Sequence, residues 1–416
     1  MPSMGSHADR ERRLASRPGG VAEAMSRRTH TGPMRRARLA LVGLLAAVSL
    51  LGGCVSVIGS GGTPAGIGMA APSAGATAAV PPTAPTPTPE AVPAPEPEPV
   101  LLPIFVYHHV KPSPDNFIAI SPATFESQLQ LIDSLGYTPI TAQELHAHIR
   151  EGAALPPKPV MITFDDGWGN QIDHAVPLLD KYGYHATFFV YPKAIKGGAF
   201  MSSAEVQSLV AGGHDVQSHT WAHTPVTGKA GETADDLVAR FSNDFKTTGD
   251  WLAKTTGSAP LAFAYPFGYY DILSTSVLSA NGIGIAFTVD EAPNTLAEED
   301  PLLFKRFSVF KAGTLETFKQ QLTGGVLTVA DASPAAGTLV PGSSATISGT
   351  ISEPVDATSV EVLWDTKPVK ASIEETAGVI RFSTTQSGKA GFHYVGLRAR
   401  DSAGRVYYQS WGFSLR

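Results

Sequence analysis

Pro159-Val160-Met161-Ile162-Thr163-Phe164-Asp165-Asp166-Gly167 is the stretch from which the fold is read. An apolar and β-branched run leads into two adjacent carboxylates and a glycine. That is the pattern of a buried parallel strand ending in a turn. In α/β folds, chemistry collects just beyond the carboxyl ends of such strands. Two neighbouring carboxylates there repel each other unless a cation or a proton lies between them. The pair is therefore a candidate site. This segment alone leaves open a solvated Asp-Gly turn, or a magnesium or calcium site of another kind.

Working outward, strand-like runs alternate with helical ones. Leu101 to Tyr107 is expected as the first strand, running directly into His108-His109. Ser121-Pro122 opens a helix, with proline at its first position, and Thr141-x-x-Glu144 fits a capping box that opens a second. After the Asp165-Asp166 strand, Gln171–Tyr182 reads as helix and Ala186–Val190 as strand. A helix capped at Ser202 follows, and Asp215–Ser218 is a short strand delivering His219-Thr220-Trp221-Ala222-His223. A helix over about 233–255, a strand Leu261–Tyr265 ending at Pro266-Phe267-Gly268, a helix near Asp271–Ala280 and strands near 284–289 and 304–309 complete the alternation. Such alternation argues for a parallel sheet or barrel whose βα turns carry the site. Each polar cluster falls at a strand's end.

His219 and His223 are separated by three residues, a spacing that lets two imidazoles face one cation. Joined to a strand-end aspartate they supply two nitrogens and one oxygen, the three-ligand pattern of catalytic zinc with a position left for water. A metal lowers the pKa of such a water to about 7. A second aspartate beside it is placed to act as general base.

Thr163-Phe164-Asp165-Asp166-Gly167, His219-Thr220-Trp221-Ala222-His223 and Pro266-Phe267-Gly268 resemble the first three motifs of the polysaccharide deacetylases, the NodB-homology, family-four carbohydrate esterases. The resemblance covers about residues 101–322 and implies a distorted (β/α) barrel. It also implies that Asp165 is the catalytic base, that Asp166, His219 and His223 hold a divalent metal, usually zinc, and that the Phe267 N–H helps bind the oxyanion. Two positions depart from the pattern. The usual arginine of the third motif falls on Ala264, and the usual late Leu-x-His is absent, because no histidine lies between His223 and His393. In a closed barrel the first and last strands are neighbours, so His108 at the end of strand one stands where a last-strand residue would. The Tyr-His opening and the Phe-Ala-Tyr-Pro-Phe-Gly segment look like the circularly permuted branch acting on poly-β-1,6-N-acetylglucosamine, a biofilm exopolysaccharide. There the opening histidine is the general acid. His109 competes for that role, but neighbours on a strand face opposite ways. Arg306 is a candidate to orient Asp165, with a structural surface pair as the alternative. Trp168 and Tyr269, which follow motif residues, are candidates to stack on sugar rings, with a hydrophobic wall as the default.

The two ends of the chain differ from this body. Met34-Arg35-Arg36-Ala37-Arg38 and the apolar run Leu39–Leu50 lead to Leu51-Gly52-Gly53-Cys54, which resembles a bacterial lipobox. Cys54, the only cysteine, is the expected lipidation site, and residues 1–54 form the signal region. Residues 55–100 are Gly/Ala/Ser- and then Pro-rich, an extended tether rather than a core. Residues 323–416 show short alternating runs separated by turns such as Asp401-Ser402-Ala403-Gly404, which reads as a small all-β immunoglobulin-like sandwich. The formal charge of −6 gives no basic footprint for nucleic acid. The chain is thus expected to be an exported, lipid-anchored monomer of the cell envelope. Its expected activity is metal-dependent N-deacetylation of a surface N-acetylglucosamine polysaccharide. The alternatives are a peptidoglycan or chitin-oligomer deacetylase and a lipid-anchored glycan-binding protein that has lost its chemistry.

Overall fold

The computed structural model describes residues 100–229, 231–297 and 299–416. The signal region, Cys54 and all but the last residue of the Pro-rich tether lie outside them. Eight strands form one sheet: β1 (Ile104–Tyr107), β2 (Thr138–Ile140), β3 (Pro159–Asp166), β4 (Thr187–Val190), β5 (Asp215–Ser218), β6 (Ala262–Ala264), β7 (Ile285–Phe287) and β8 (Phe307–Ser308). Their order is β7-β6-β5-β4-β3-β1-β8, with β2 against the start of β3, and the pairings are parallel. β3 is buried at every position, which is why its sequence is a continuous apolar run and not an alternation.

The ends of the sheet meet at a Phe287–Phe304 bridge, where the Thr288 N–H donates to the Phe304 carbonyl at 2.8 Å. The sheet therefore curls into a distorted barrel. Its first and last strands lie side by side, Phe105 opposite Phe307 and Val106 opposite Ser308. Seven α-helices cover its outer face: α1 (Pro122–Ser134), α2 (Ala142–Glu151), α3 (Val176–Tyr182), α4 (Ser203–Ala211), α5 (Ala234–Thr256), α6 (Ile272–Ala280) and α7 (Leu315–Leu322). Ser121 caps α1, and capping boxes at Thr141, Ser202 and Thr233 open α2, α4 and α5. Each cap is worth about 1 kcal/mol. α5 turns Leu237, Phe241, Phe245, Thr248 and Leu252 inward at helical spacing, with Phe241 and Phe245 packing on Phe263 of β6. Sequence patterning does not mark β2 and α7. β2 is only three residues long, and α7 is anchored by tertiary packing, its Phe318 stacking on Phe105 at 4.2 Å.

From residue 325 the chain forms two antiparallel-dominated sheets. Their strands are β9 (Gly325–Val326), β10 (Val329–Ser333), β11 (Leu339–Val340), β12 (Ser344–Ile351), β13 (Glu361–Trp364), β14 (Lys367–Val369), β15 (Ser372–Thr376), β16 (Val379–Ser387), β17 (Gly391–Arg400) and β18 (Val406–Leu415). One sheet runs β9-β18-β17-β13-β14 with β11 also on β18, and the other β10-β12-β16-β15. Alternate residues such as Ile347, Ile351, Ile380, Phe382, Leu397 and Phe413 fill the space between them. This sandwich packs against the barrel within one compact unit. Tyr408 meets Phe307 edge-on, Arg405 donates to the carbonyls of Thr323 and Gly324, and Tyr270 Oη accepts from the Gly412 N–H at 2.9 Å.

Asp290 lies under this seam. The Tyr270 hydroxyl donates to its Oδ2 at 2.8 Å, and its Oδ1 meets no partner among the described residues. Burial pushes its carboxyl up to about 6, against the opposing pull of the Tyr270 bond. An acid raised in the folded state binds more protons folded than unfolded, so stability falls as pH rises from about 4 to 6. A shift of this size corresponds to about 3 kcal/mol. The Asp290→Asn variant, neutral throughout, should therefore gain up to about 3 kcal/mol over the parent between pH 4 and pH 7. Urea denaturation at both pH values measures it, and parallel pH profiles for the two proteins would contradict it.

Candidate active site

The strand ends of the barrel gather the titratable groups. β3 finishes on Asp165 and Asp166, the latter at φ 77°. Gly167 follows at φ 75°, where a Cβ would lie 2.8 Å from Ile195 Cδ1, so only glycine lets the chain leave here. β5 runs straight into His219, whose N–H donates to the Val190 carbonyl at 3.1 Å. The following loop turns through Thr220 and His223, at φ 62° and 55°, and swings His223 back beside His219, ring centroids 4.8 Å apart.

Asp166 Oδ1 is 3.3 Å from His223 Nε2 and 3.7 Å from His219 Nε2. The three ligand atoms lie within 4.8 Å of one another. This oxygen is buried and meets no hydrogen-bond donor among the described residues. Asp166 Oδ2, by contrast, accepts from the Trp168 indole N–H at 2.9 Å. His219 Nδ1 faces the Ala264 carbonyl at 2.8 Å, which fixes the proton on Nδ1 and aims the Nε2 lone pair at Asp166. Burial holds this imidazole down at about 4, so it is neutral near pH 7. An orphaned carboxylate oxygen facing two imidazoles, one of them with its tautomer set, fits a divalent cation with nitrogen and oxygen preferences.

Asp165 is held differently. Arg306 Nη1 and Nη2 donate to its Oδ1 and Oδ2, both at 2.8 Å. The arginine is wholly buried, and it also donates from Nε to the Thr288 carbonyl and from Nη1 to Thr163 Oγ1. Burial alone would raise the Asp165 acid, but the guanidinium outweighs it and holds the carboxyl at about 2. Ala264, at the position where the third motif usually carries arginine, gives its carbonyl to His219 instead. The guanidinium arrives from the other edge of the sheet, beside β8.

Of the two histidines after β1, His109 is engaged. Its Nδ1 meets Asn170 Nδ2 at 2.9 Å, its ring lies 4.2 Å from that of Trp168, and burial holds it down at about 4. His108 is buried near both aspartates and favours their ionised forms. Gln171, fully buried at the π-turn that leads into α3, donates to the carbonyls of His108 and Asp165 at 2.7 and 2.8 Å. It ties the ends of β1 and β3 together. No sequence pattern singles it out, nor Asn170.

The two expected sugar-stacking residues differ in setting, Trp168 being half-buried and Tyr269 buried. Trp168 is packed between His109 and Phe200, the latter stacked at 4.0 Å, and spends its N–H on Asp166. Tyr269 is 3% exposed and stacks on Phe392 of the sandwich at 4.9 Å. Trp168 thus braces a carboxylate from a half-buried position, and Tyr269 fits the hydrophobic-wall alternative at the seam. Phe267 does border the cluster, its ring 4.5 Å from that of His223.

Residues 152–286 match the family model described as polysaccharide deacetylase. The chain carries a polysaccharide deacetylase domain. A Staphylococcus epidermidis poly-beta-1,6-N-acetyl-D-glucosamine N-deacetylase is 27% identical over 180 residues, 42% of this chain and 62% of that protein. A Bacillus subtilis protein named for the same family, YxkH, is 26% identical over 189 residues, 45% of this chain and 64% of its own length. The chain thus spans under two thirds of these relatives. Among solved structures, the Streptococcus pyogenes deacetylase PplD in complex with acetate aligns at a TM-score of 0.48 with 23% identity, covering 54% of this chain and 99% of that one. The matched residues include Asp165, Asp166, His219, His223 and Phe267, whereas His108, His109 and Arg306 lie outside them.

The Arg306–Asp165 fork should behave as a coupled unit. Losing one partner strands a buried charge at a cost of about 3–5 kcal/mol. Arg306→Met should therefore destabilise strongly, and adding Asp165→Asn should restore much of that loss. A double-mutant cycle by urea denaturation measures the coupling; additive effects would show that the two side chains are not paired.

Proposed function

We propose that this protein is a metal-dependent N-deacetylase of a surface N-acetylglucosamine polymer, poly-β-1,6-N-acetylglucosamine, acting at the cell envelope and tethered through Cys54. The observation that carries the chemistry is the division of labour between adjacent aspartates: Asp166 presents an unpaired buried oxygen to two imidazoles, while Asp165 is clamped by Arg306. The substrate follows from the staphylococcal relative's name, and the anchor from the lipobox-like run before Cys54.

Asp166, His219 and His223 would hold the ion, with zinc suited to two imidazoles and a carboxylate. When bound, it supplies Lewis-acid polarisation of the amide carbonyl and a lowered water pKa. Asp165 is ionised throughout the neutral range. After the Arg306 fork each of its oxygens keeps a lone-pair site, so it accepts the proton of the attacking water. The Phe267 N–H donates to the oxygen on which charge develops. His108, entering from β1, protonates the departing amine. Trp168 holds Asp166 in place through Oδ2, leaving Oδ1 to face the imidazoles. The sandwich is read as immunoglobulin-like and as a support for the barrel.

Acetate release from β-1,6- and β-1,4-linked N-acetylglucosamine oligomers, with and without chelator, tests the reading. Release should favour the β-1,6 series and disappear with chelator; preference for β-1,4 oligomers would move the substrate to peptidoglycan or chitin. Asp166→Ala and His219→Ala should lose bound zinc by titration calorimetry. Asp165→Asn should retain zinc while turnover drops by about 10²–10⁴. Full activity in that variant would remove Asp165 from the base role. His108→Ala should slow amide hydrolysis by about 10² and spare an activated acetyl ester, whose leaving group needs no proton. Equal losses on both would argue against an acid at that position.

A further inference from the structure

Phe267 is a bulky residue at φ 62°, ψ 3°, in the left-handed region that side chains disfavour. Such a conformation persists only where surrounding structure enforces it. Two local bonds hold part of the turn: Gly268 N–H to the Tyr265 carbonyl at 2.8 Å and Tyr269 N–H to the Pro266 carbonyl at 3.2 Å. The Phe267 carbonyl is held from elsewhere. It accepts from the hydroxyl of Tyr394, on β17 of the sandwich, at 2.6 Å.

The approach of Tyr394 is built in. Gly268, at φ 72°, has no room for a Cβ, which would lie 2.7 Å from Tyr394 Oη and 2.3 Å from Val289 Cγ2. Phe392, two residues earlier on the same face of β17, stacks on Tyr269 and meets Tyr270 edge-on at 5.3 Å. His393, between them, turns the other way onto Trp364. The Tyr394 N–H is itself anchored to Asp365 Oδ1 at 3.1 Å. One strand of the sandwich thus grips three consecutive residues of the Phe267-Gly268-Tyr269 turn.

We propose that Tyr394 is a positioning residue for the oxyanion turn, so that the C-terminal sandwich is part of the catalytic apparatus and not a spacer. The proposal rests on the assignment of the Phe267 N–H as oxyanion donor. By fixing the Phe267–Gly268 peptide plane, the tyrosine hydroxyl sets the backbone rotation of Phe267 and with it the direction of that donor. A donor pre-aimed at developing charge needs no reorganisation during reaction.

Tyr394→Phe keeps the ring packing and removes only the hydroxyl. Turnover of 4-nitrophenyl acetate and of an N-acetylglucosamine oligomer should each drop about tenfold in kcat, a fraction of the ~10²–10³ for deleting an oxyanion donor outright. KM should stay within about twofold, because uniform binding is untouched. Zinc affinity should not change, while hydrogen–deuterium exchange of the peptide covering residues 265–271 should accelerate. Arg398→Gln cuts another contact between sandwich and barrel, the Arg398–Glu291 pair at 3.0 Å, away from the turn, and should leave kcat at the parent value. Parent kcat and parent protection in Tyr394→Phe would overturn the proposal, as would an equal loss in Arg398→Gln. If the parent cleaves the acetyl ester but releases acetate from no glucosamine oligomer, the substrate reading falls, and the ester kcat still decides the role of Tyr394.

Discussion

The Arg306–Asp165 ion pair is the constraint on which the rest of the site depends. Placing a carboxylate in a wholly buried position is costly unless a partner of matching geometry meets it. Arg306 meets it with two parallel bonds and spends further donors on Thr288 and Thr163, so neither charge is left unsatisfied. A lysine, with a point charge and no planar fork, would not reproduce this arrangement. Because Asp165 is neutralised from behind, it can sit next to Asp166 without repelling it into solution. The neighbouring carboxylates then diverge in role, one clamped and one open toward the imidazoles.

That pair exists because the sheet curls far enough to place β8 beside β1. Closure brings the last strand's arginine under the end of β3 and releases position 264 from any ionic duty. At that position His219 Nδ1 reaches the Ala264 backbone carbonyl, a contact that does not depend on the side chain there.

Much of this architecture was legible from residue types. A continuous apolar run ending in Asp-Asp-Gly marks a buried strand with a polar tip, and helix caps at Ser121, Thr141 and Ser202 announce themselves by local chemistry. The gathering of Asp166, His219 and His223 follows from their lying just beyond the same ends of β3 and β5, two parallel strands with only β4 between them. What could not be read was which way an aromatic side chain faces. Trp168 and Tyr269 follow motif residues and suit sugar stacking, but Phe392 covers Tyr269 while Trp168 rests half-buried against Phe200. Gln171 and Tyr394 were invisible for the same reason: each acts through a backbone carbonyl, and no local pattern marks that. The sandwich was legible as a module by its alternation, whereas its grip on the Phe267 turn spans 127 residues of sequence.

The distance along the chain between Asp165 and Arg306, 141 residues, also orders events during synthesis. At ribosomal speeds of about 5–20 residues per second, roughly 7–28 s pass between the emergence of the two. Until the arginine appears, the tips of the early strands carry two like charges with no counterion from the protein, and sealing them from water is unfavourable. The candidate site therefore stays incomplete until residue 306 has emerged, and a ribosome stalled short of it would hold a sheet whose polar rim is still wet.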